Sequence, residues 1–359
     1  MAVDFVTHLI SSLDYGVVTT LAAFVHQFVL PIIFTLVIAS WLVFKEKKER
    51  MHSLAIAAVI GFLFYFSVKS LANVPRPCVE LGGKITCPVD SSFPSGHTLA
   101  AAMAAIGMIA SPLFYAFLVF VLFTAFSRIY LGVHTLADVS AGLALGLACF
   151  EIGQSVLGIQ WLWKEREKEK NPKREFGRQA VHLLLGLGLA LVCLVAQKPI
   201  AELVLICGIV AALVVMHMKI NGQKLPLVDG IFHTFEREGV LPGSGTLWYL
   251  VGLLAIVSFA KSPAMGIGLV LIIGIGDGFS SIIGVNWGNH KLPWNPKKSL
   301  EGSAAFFVTA LSSAIFISPL FAIALSFLGA VVESLPLKID DNVSVSLVLI
   351  AGAAALGIL

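Results

Sequence analysis

Long runs of apolar residues, separated by short stretches rich in charged residues, Gly and Pro, dominate the chain. A helix crosses the hydrocarbon of a bilayer with about 20 mostly apolar residues, and it satisfies its backbone polar groups within one segment. The pattern predicts an all-α polytopic integral membrane protein, with about twelve transmembrane helices in two helical bundles and no strands. Residues 1–14 are less apolar and predict a helix at the membrane interface. The predicted spans are 17–44, 53–72, 98–110, 113–131, 135–157, 180–196, 200–216, 245–260, 264–284, 303–318, 320–335 and 343–359.

The composition excludes an ordinary soluble globular protein, since 58% of the residues are hydrophobic, 13% are charged and the mean hydropathy is +0.93. Basic residues are retained on the cytoplasmic side of a membrane. Alternating the loops places 18 of the 24 Lys and Arg on one side, which predicts that this side is cytoplasmic and that the N-terminus is outside. The net charge of +3 therefore indicates topology in a cell membrane and not nucleic-acid binding.

One strong break in composition divides the chain. Residues 163–178 are rich in Lys, Arg and Glu and almost free of apolar side chains, which is typical of a cytoplasmic segment touching anionic lipid headgroups. The predicted domains are 1–162 and 179–359, joined by this basic linker. Cys78 and Cys87 bracket a short polar loop predicted to lie outside, where thiols can oxidise, and the sequence leaves open whether they form a disulfide.

Three polar segments of the first domain lie at the outer ends of its predicted spans. Ionisable residues at membrane depth are costly and indicate function, although a single Lys or Arg there also fits snorkelling to the interface. Cations and a helix N-terminus suit phosphate oxygens, while His and Asp four residues apart suit an oriented nucleophile, so the set predicts phosphoryl transfer through a covalent intermediate. The candidate residues are Lys69, Arg76, Ser95, Gly96, His97, Arg128, His134 and Asp138.

These segments resemble the full tripartite signature of the type 2 phosphatidic acid phosphatase superfamily. The resemblance implies that His134 is the nucleophile that becomes phosphohistidine, that Asp138 orients it, and that His97 protonates the departing oxygen. It also implies phosphate binding by the remaining candidates and catalysis without a metal or another cofactor. Many members have six spans, whereas five spans and an interfacial helix are predicted here. The matching blocks are Lys69-x6-Arg76-Pro77, Pro94-Ser95-Gly96-His97 and Ser127-Arg128-x5-His134-x3-Asp138.

Acidic residues, Lys and Gly of the second domain fall at the predicted cytoplasmic ends of its spans. Carboxylates beside Lys suit Mg²⁺ that bridges nucleotide phosphates, although helix caps and retained lysines would give a similar pattern. The candidates for this site are Arg178, His182, Asp277, Lys298, Glu301, Glu333, Asp341 and Asn342, with Asp277, Glu301 and Asp341 as candidate Mg²⁺ ligands.

The second set resembles the CTP-dependent polyprenol kinase family, which includes dolichol kinase and phytol kinase. The resemblance covers about residues 173–359 and implies CTP as phosphate donor and Mg²⁺ as cofactor. Val285 and Asn289 depart from it, because basic residues are expected there, and so does Ser280, where Ala is usual. The matching blocks are Glu175-x2-Arg178-x3-His182, Pro242-Gly243-Ser244-Gly245-Thr246, Gly276-Asp277-Gly278-x5-Gly284, Lys298-Ser299-Leu300-Glu301-Gly302-Ser303, Glu333 and Asp341-Asn342.

Together the two resemblances favour an enzyme that recycles an isoprenoid lipid carrier. An outward site would hydrolyse a polyprenyl (dolichyl-type) diphosphate, and an inward site would phosphorylate polyprenol with cytosolic CTP. The expected partners are these membrane lipids and CTP. Two alternatives stay open: a phosphatidic acid or other glycerophospholipid phosphatase with an unrelated kinase-like domain, and a membrane transporter whose two polar clusters are the ends of one path.

Overall fold

The computed structural model describes residues 3–44, 48–158, 172–226, 228–230 and 243–359. Over these ranges the chain is predominantly helical, which confirms the predicted all-α class. It forms two compact units, Met1–Ile159 and Gln160–Leu359. Most of the predicted basic linker lies outside the described residues, and its last part, from Pro172, already belongs to a helix.

The described part of the first unit is a helical bundle. Its first helix, α1, occupies the segment for which an interfacial helix is predicted. This helix is capped by Asp4, and the hydroxyl oxygen of Thr7 accepts a hydrogen bond from the Leu136 N–H at 2.8 Å. The elements are α1 (Phe5–Ser12), α2 (Gly16–Phe44), α3 (Lys48–Ala72), α4 (Cys78–Leu81), α5 (Gly96–Gly107), α6 (Phe114–Tyr130) and α7 (Leu136–Val156).

Helices α5 and α7 form the tightest contact of the first unit. A Cβ atom added to Gly142 would lie 2.5 Å from the carbonyl oxygen of Ser95, and one added to Gly146 would lie 2.4 Å from that of Leu99. Small residues four positions apart on α7 thus let the two backbones touch. The Ser95 N–H also donates to the Asp138 carbonyl at 2.9 Å, so the first turns of α5 and α7 are fixed against each other.

Helix α2 is broken near its middle. Pro31 has no N–H to donate, and its ring clashes with the carbonyl four residues earlier. The backbone leaves helical geometry at Phe28, with φ −116° and ψ 15°. The carbonyl of His26, in the turn before this break, accepts a hydrogen bond from a side chain of α5, so the break ties α2 to the first unit's polar cluster.

The described part of the second unit is a second helical bundle. In its core α11 packs against α8 and α12, while α10 packs against α9 and α14. The helices are α8 (Pro172–Val195), α9 (Lys198–Ile220), α10 (Ser244–Phe259), α11 (Pro263–Asn286), α12 (Leu300–Ala310), α13 (Pro319–Ser334) and α14 (Asp341–Ala355), and the 3₁₀ turn Leu311–Ile315 follows α12.

A short hairpin joins α11 to α12, which corrects the prediction of helices alone. Strands β1 (Lys291–Leu292) and β2 (Asn295–Ser299) pair antiparallel. The hairpin lies between two predicted spans. A segment has to be helical only where it crosses the hydrocarbon, so strands are compatible with this position. Strand β2 runs directly into α12, where the Ser299 hydroxyl accepts from the Gly302 N–H at 3.2 Å, and this cap sets the position of the neighbouring Lys298.

Six helices of the described residues are long and apolar enough to cross a membrane. The remaining predicted spans correspond to apolar helices of 10–17 residues. The chain is therefore a membrane protein, and the number of about twelve crossings stays a prediction from helix length and hydropathy. The six long helices are Gly16–Phe44, Lys48–Ala72, Leu136–Val156, Phe176–Val195, Lys198–Ile220 and Pro263–Asn286.

Candidate functional site

The first unit brings its predicted phosphate-handling residues into one polar cluster. They come from four helix ends and two loops: the end of α3, the start of α5, the end of α6, the start of α7, and the loops that precede α4 and α7. Helix ends carry backbone polar groups that have no partner within the helix, so polar side chains can come together there while the spans stay helical. All eight predicted residues, Lys69, Arg76, Ser95, Gly96, His97, Arg128, His134 and Asp138, lie on these ends and loops.

His134 is buried between a guanidinium and a carboxylate. Its Nε2 lies 3.1 Å from Nη1 of Arg76, and its Nδ1 lies 3.4 Å from Oδ2 of Asp138. A guanidinium only donates, so Nε2 carries the lone pair and Nδ1 carries the hydrogen. Burial lowers the pKa of His134 to about 4, although the Asp138 carboxylate opposes this shift. The imidazole is therefore neutral at physiological pH, and its unprotonated nitrogen accepts a hydrogen bond from Arg76.

Asp138 is held mainly by two donors other than the imidazole. Its Oδ2 accepts hydrogen bonds from the Ser92 hydroxyl and, at 2.7 Å, from the Thr135 N–H. The 3.4 Å separation from His134 is longer than a charge-assisted hydrogen bond usually is. Ser92 and Thr135 therefore fix the carboxylate, and the carboxylate in turn orients the imidazole.

We predict that Ser92→Ala lowers kcat for phosphate release about 10- to 100-fold while KM changes little, because removing one hydrogen bond to a buried carboxylate costs about 1.5–3 kcal/mol. The loss falls on the orientation of His134, which matters in the reaction and not in lipid binding. Ser70→Ala, an exposed hydroxyl on α3, is the matched control. Steady-state kinetics that show an unchanged kcat, or a loss confined to KM, would contradict the role of Ser92.

Two of the three predicted phosphate-binding cations, Lys69 and Arg76, pair with the same carboxylate. Nζ of Lys69 lies 2.5 Å from Oδ2 of Asp90, and Nη2 of Arg76 lies 2.7 Å from Oδ1. Burial alone would raise the pKa of Asp90, but hydrogen bonds from Lys69 and Arg76 outweigh it and lower this pKa to about 2. Asp90 is thus ionised, and its single charge offsets one of the two positive charges that the sequence assigns to phosphate.

His97 begins α5 and is hydrogen-bonded to a backbone carbonyl. Its Nε2 lies 3.1 Å from the carbonyl oxygen of His26, and the two imidazole rings are 5.4 Å apart. A carbonyl only accepts, so Nε2 carries the hydrogen and Nδ1 is left to exchange a proton. Just before His97, a Cβ on Gly96 would lie 2.7 Å from the ring of Tyr65, so glycine is needed for this close approach.

Arg128 is almost completely buried and also contacts His26. Its Nη1 donates a hydrogen bond to Nδ1 of the His26 ring. Its Nε has no hydrogen-bond partner among the described residues. A buried N–H without an acceptor is costly and suits a phosphate oxygen.

Three residues of this cluster were missed by the sequence analysis. His26, Asp90 and Ser92 each contact a predicted site residue, yet none belongs to a signature block. For His26 one signal was available, because it is a polar residue in an apolar helix shortly before Pro31. Asp90 and Ser92 lie in a loop rich in polar residues, where nothing distinguishes them by composition.

In the second unit, Lys298 joins two predicted carboxylates. Its Nζ contacts the Glu333 carboxylate and lies 2.8 Å from Oδ2 of Asp341. Glu333 also accepts from the hydroxyl of Ser280 at 3.1 Å, the residue at which the sequence departs from the kinase pattern. Asp277 interacts electrostatically with Lys298, Glu333 and Asp341, and with Arg178. Lys298 therefore contacts two predicted residues directly, and Asp277 and Arg178 are linked to them by electrostatic interaction.

The other predicted residues of the second unit lie differently. Glu301 pairs with His290, with Oε1 2.6 Å from the imidazole Nδ1, and His290 is exposed. The buried ring of His182 stacks on Tyr249 with centroids 4.6 Å apart, and the Tyr249 hydroxyl donates to the His182 carbonyl. Asn342 is buried at the start of α14. Pro242 and the side chain of Glu175 lie outside the described residues.

Among the described residues, no three His, Cys, Asp or Glu side chains are grouped closely enough to hold a metal ion. Two buried oxygens near Lys298, Oε2 of Glu333 and Oδ1 of Asn342, have no hydrogen-bond partner there. Such acceptors fit a cation held jointly by protein and phosphate oxygens. The assignment of Mg²⁺ to Asp277, Glu301 and Asp341 stays a prediction, with Glu301 turned toward His290.

Residues 50–166 match the model of the PAP2 superfamily. A protein named probable phytol kinase 1, chloroplastic, from Glycine max is 32% identical over 200 residues, which cover 49% of this chain and 65% of that protein. Farnesol kinase, chloroplastic, from Arabidopsis thaliana is 26% identical over 232 residues, 59% of this chain and 73% of that protein. The chain thus spans slightly less than two thirds of the Glycine max protein's length.

The crystal structure of Aquifex aeolicus LpxE aligns with 41% of this chain and 92% of its own, at 23% identity and a TM-score of 0.37, which is too low to support an argument. The family model and the curated relatives confirm both resemblances predicted from the sequence, to the phosphatase superfamily and to prenyl-alcohol kinases. They also support an enzyme as the class of protein.

Proposed function

We propose that the first unit is a phosphatase that hydrolyses a polyprenyl diphosphate of the dolichyl type through a phosphohistidine, and that the second unit is a CTP-dependent polyprenol kinase. The observation that carries the phosphatase proposal is the orientation of His134, whose Nε2 faces Arg76 while Nδ1 faces Asp138. A neutral nucleophilic nitrogen is thereby directed at cations suited to a phosphate. The match of residues 50–166 to the PAP2 superfamily supports the same reaction.

In the first step, the Nε2 lone pair of His134 attacks the terminal phosphorus, and the bond from phosphorus to the leaving oxygen breaks. Lys69, Arg76 and Arg128 bind the nonbridging oxygens, which keep their negative charge throughout. For the leaving oxygen to take a proton from Nδ1 of His97, this ring enters the step as the imidazolium, with one hydrogen on Nδ1 and the other on Nε2, which the His26 carbonyl holds. The negative charge of the bound phosphate favours that form, and the ring leaves the step neutral.

In the second step, His97 removes a proton from water, and the water oxygen attacks the phosphorus of phosphohistidine. The bond from phosphorus to Nε2 breaks, inorganic phosphate leaves, and His134 returns to its neutral form. Asp138 stabilises the positive charge that the imidazole carries between the two steps, since its carboxylate lies 3.4 Å from Nδ1.

If the substrates are isoprenoid lipids, the reactions proposed for the two units lead to the same product. The plant relatives are named as kinases of phytol and farnesol, which are isoprenoid alcohols. Trimming a polyprenyl diphosphate and phosphorylating a polyprenol both yield the monophosphate, the form a carrier needs for its next cycle. The distribution of Lys and Arg supports a phosphatase site outside and a kinase site in the cytoplasm. The Cys78–Cys87 disulfide supports the outward side, because disulfides persist in oxidising compartments.

The kinase proposal rests on the convergence of Lys298, Asp277, Glu333 and Asp341. Lys298 is placed to bind nucleotide phosphates, and Asp277 to accept the hydroxyl proton of the lipid alcohol or to face the metal. Mg²⁺, when bound, would neutralise charge on the transferred phosphate. The partnerless oxygens of Glu333 and Asn342 are suited to hold it.

The phosphohistidine is expected to be trapped when the purified protein is mixed with terminally ³²P-labelled polyprenyl diphosphate and quenched within one turnover. Label on the protein should survive alkali and be lost in acid, as a phosphoramidate requires. Parallel reactions with phosphatidic acid, and with polyprenol plus CTP, identify the substrates of each unit. Release of phosphate from phosphatidic acid alone would leave the glycerophospholipid alternative, and no reaction with any substrate would favour a transporter.

A further inference from the structure

Asp90 lies between Lys69 and Arg76, two of the cations that are proposed to bind the substrate phosphate. Both ion pairs join a side chain shielded from solvent to one that is not. Lys69 and Arg76 are 11% and 5% exposed, whereas Asp90 is 52% exposed. Buried cations without a counter-ion are costly. Asp90 supplies that counter-ion in this structure, from the side that faces solvent.

The backbone around Asp90 is fixed, although its side chain is accessible. On one side the Cys78–Cys87 disulfide closes the loop. On the other side the Ser92 N–H donates to the Val74 carbonyl at 2.8 Å. Arg76 Nε also donates to the Asp90 carbonyl oxygen at 3.1 Å. Rotation about the Asp90 side chain would therefore clear the cations while these anchors stay in place.

We infer that Asp90 is an internal competitor for the phosphate site, which admits doubly charged phosphate groups and rejects singly charged phosphodiesters. This inference rests on the proposed phosphatase function of the first unit. It makes Asp90 a specificity-determining residue: the carboxylate leaves when a phosphomonoester or a terminal diphosphate enters, and it returns when orthophosphate departs.

The charge of the incoming group decides the exchange. A phosphate monoester carries about −1.5 to −2 charge at pH 7, so it attracts the two cations more strongly than one carboxylate does. A phosphodiester headgroup carries a single charge and only equals the carboxylate, which is tethered at high effective concentration. Singly charged lipids far outnumber a carrier lipid in a membrane, so a site without Asp90 would be filled by them.

The test is calorimetric titration of orthophosphate into the detergent-purified full chain and its Asp90→Asn variant. Asparagine keeps the size of the side chain and one oxygen that can accept from Arg76, but it removes the charge and the second acceptor, which pairs with Lys69. If Asp90 occupies the site about nine-tenths of the time, Asp90→Asn should bind orthophosphate about tenfold more tightly. Glu80→Gln is the matched control, because Glu80 is an exposed carboxylate in the Cys78–Cys87 loop that precedes Asp90, and its affinity should equal that of the wild type.

A second measurement uses mixed micelles that contain phosphatidylglycerol, a singly charged phosphodiester. It should inhibit Asp90→Asn competitively and leave wild type and Glu80→Gln unaffected. Asp90→Ala should shift both measurements in the same direction, which guards against an effect particular to asparagine.

Equal orthophosphate affinity in wild type and Asp90→Asn would overturn the inference while leaving the phosphatase intact. Weaker binding by Asp90→Asn, with an unchanged melting temperature, would also overturn it, since Asp90 would then hold the cations in place for phosphate. If wild type neither binds orthophosphate nor releases it from any lipid, the phosphatase proposal itself fails.

Discussion

Replacing His134 by alanine is expected to lower the rate of phosphate release at least about 10³-fold, because water cannot take the place of a positioned covalent nucleophile. The substituted site keeps its cations, so KM for the lipid should change far less than kcat. Alkali-stable ³²P label on the protein should disappear in the same variant. The measurement is phosphate release from polyprenyl diphosphate in detergent micelles, followed under single-turnover and steady-state conditions.

The matched control is His52→Ala, which removes an exposed imidazole from α3 of the same unit and should leave both rates unchanged. Activity of His134→Ala near the wild-type value would refute the nucleophile assignment. Loss of wild-type phosphatase activity on adding a metal chelator would refute the metal-free reaction that the family resemblance implies.

Replacing Lys298 by methionine is expected to lower nucleotide-dependent phosphorylation of polyprenol about 10²- to 10³-fold, the usual cost of removing one positioned donor that stabilises transition-state charge. Lys297→Met is the matched control, since the adjacent lysine is exposed on the same strand. The readout is transfer of ³²P from labelled CTP to polyprenol. Phosphatase turnover should be unchanged in both variants, and His134→Ala should keep its kinase activity.

Methionine at Lys298 also leaves the buried Glu333 carboxylate without its cation, so folding has to be separated from chemistry. Lys298→Arg keeps the charge and should preserve the melting temperature, yet lose most activity, because the broader guanidinium cannot replace the compact ammonium. Equal phosphorylation by Lys298→Met and Lys297→Met would refute the role of Lys298. No transfer from CTP or any other nucleotide to any prenyl alcohol in the wild type would refute the kinase proposal and leave the phosphatase proposal untouched.

The sequence predicted the candidate catalytic residues of the first unit but not the contacts that support them. The proposed phosphoryl transfer to His134 needs particular functional groups at fixed spacing, so Asp138 and Arg76 can be found from a sequence motif. Ser92 and His26 act through a hydroxyl and a backbone carbonyl, and contacts of that kind depend on the path of the chain in space. The carbonyl of His26 has no residue-specific signal at all.

The second unit shows a different limit of prediction from sequence. Glu301 and Lys298 lie three residues apart in the most specific block, so they were assigned to one site. A strand ends and a helix begins between them, at Ser299. That change of geometry sends Lys298 to Glu333 and Glu301 to His290. Apolar periodicity identified the helices of both units, but it carries no information about a hairpin between two spans.

The broken helix α2 bears on how this protein can be divided for engineering. The segment recognised as PAP2 begins at residue 50, so a chimera designer would place the junction there. That cut keeps every signature residue yet removes the carbonyl that holds the tautomer of His97 and the ring that contacts Arg128. It also removes the Thr7 hydroxyl that accepts from the first turn of α7. The smallest segment that can be transplanted with these contacts starts upstream of α1. Atoms far from any motif, such as the His26 carbonyl, supply the hydrogen-bond partners of His97 and of the first turn of α7.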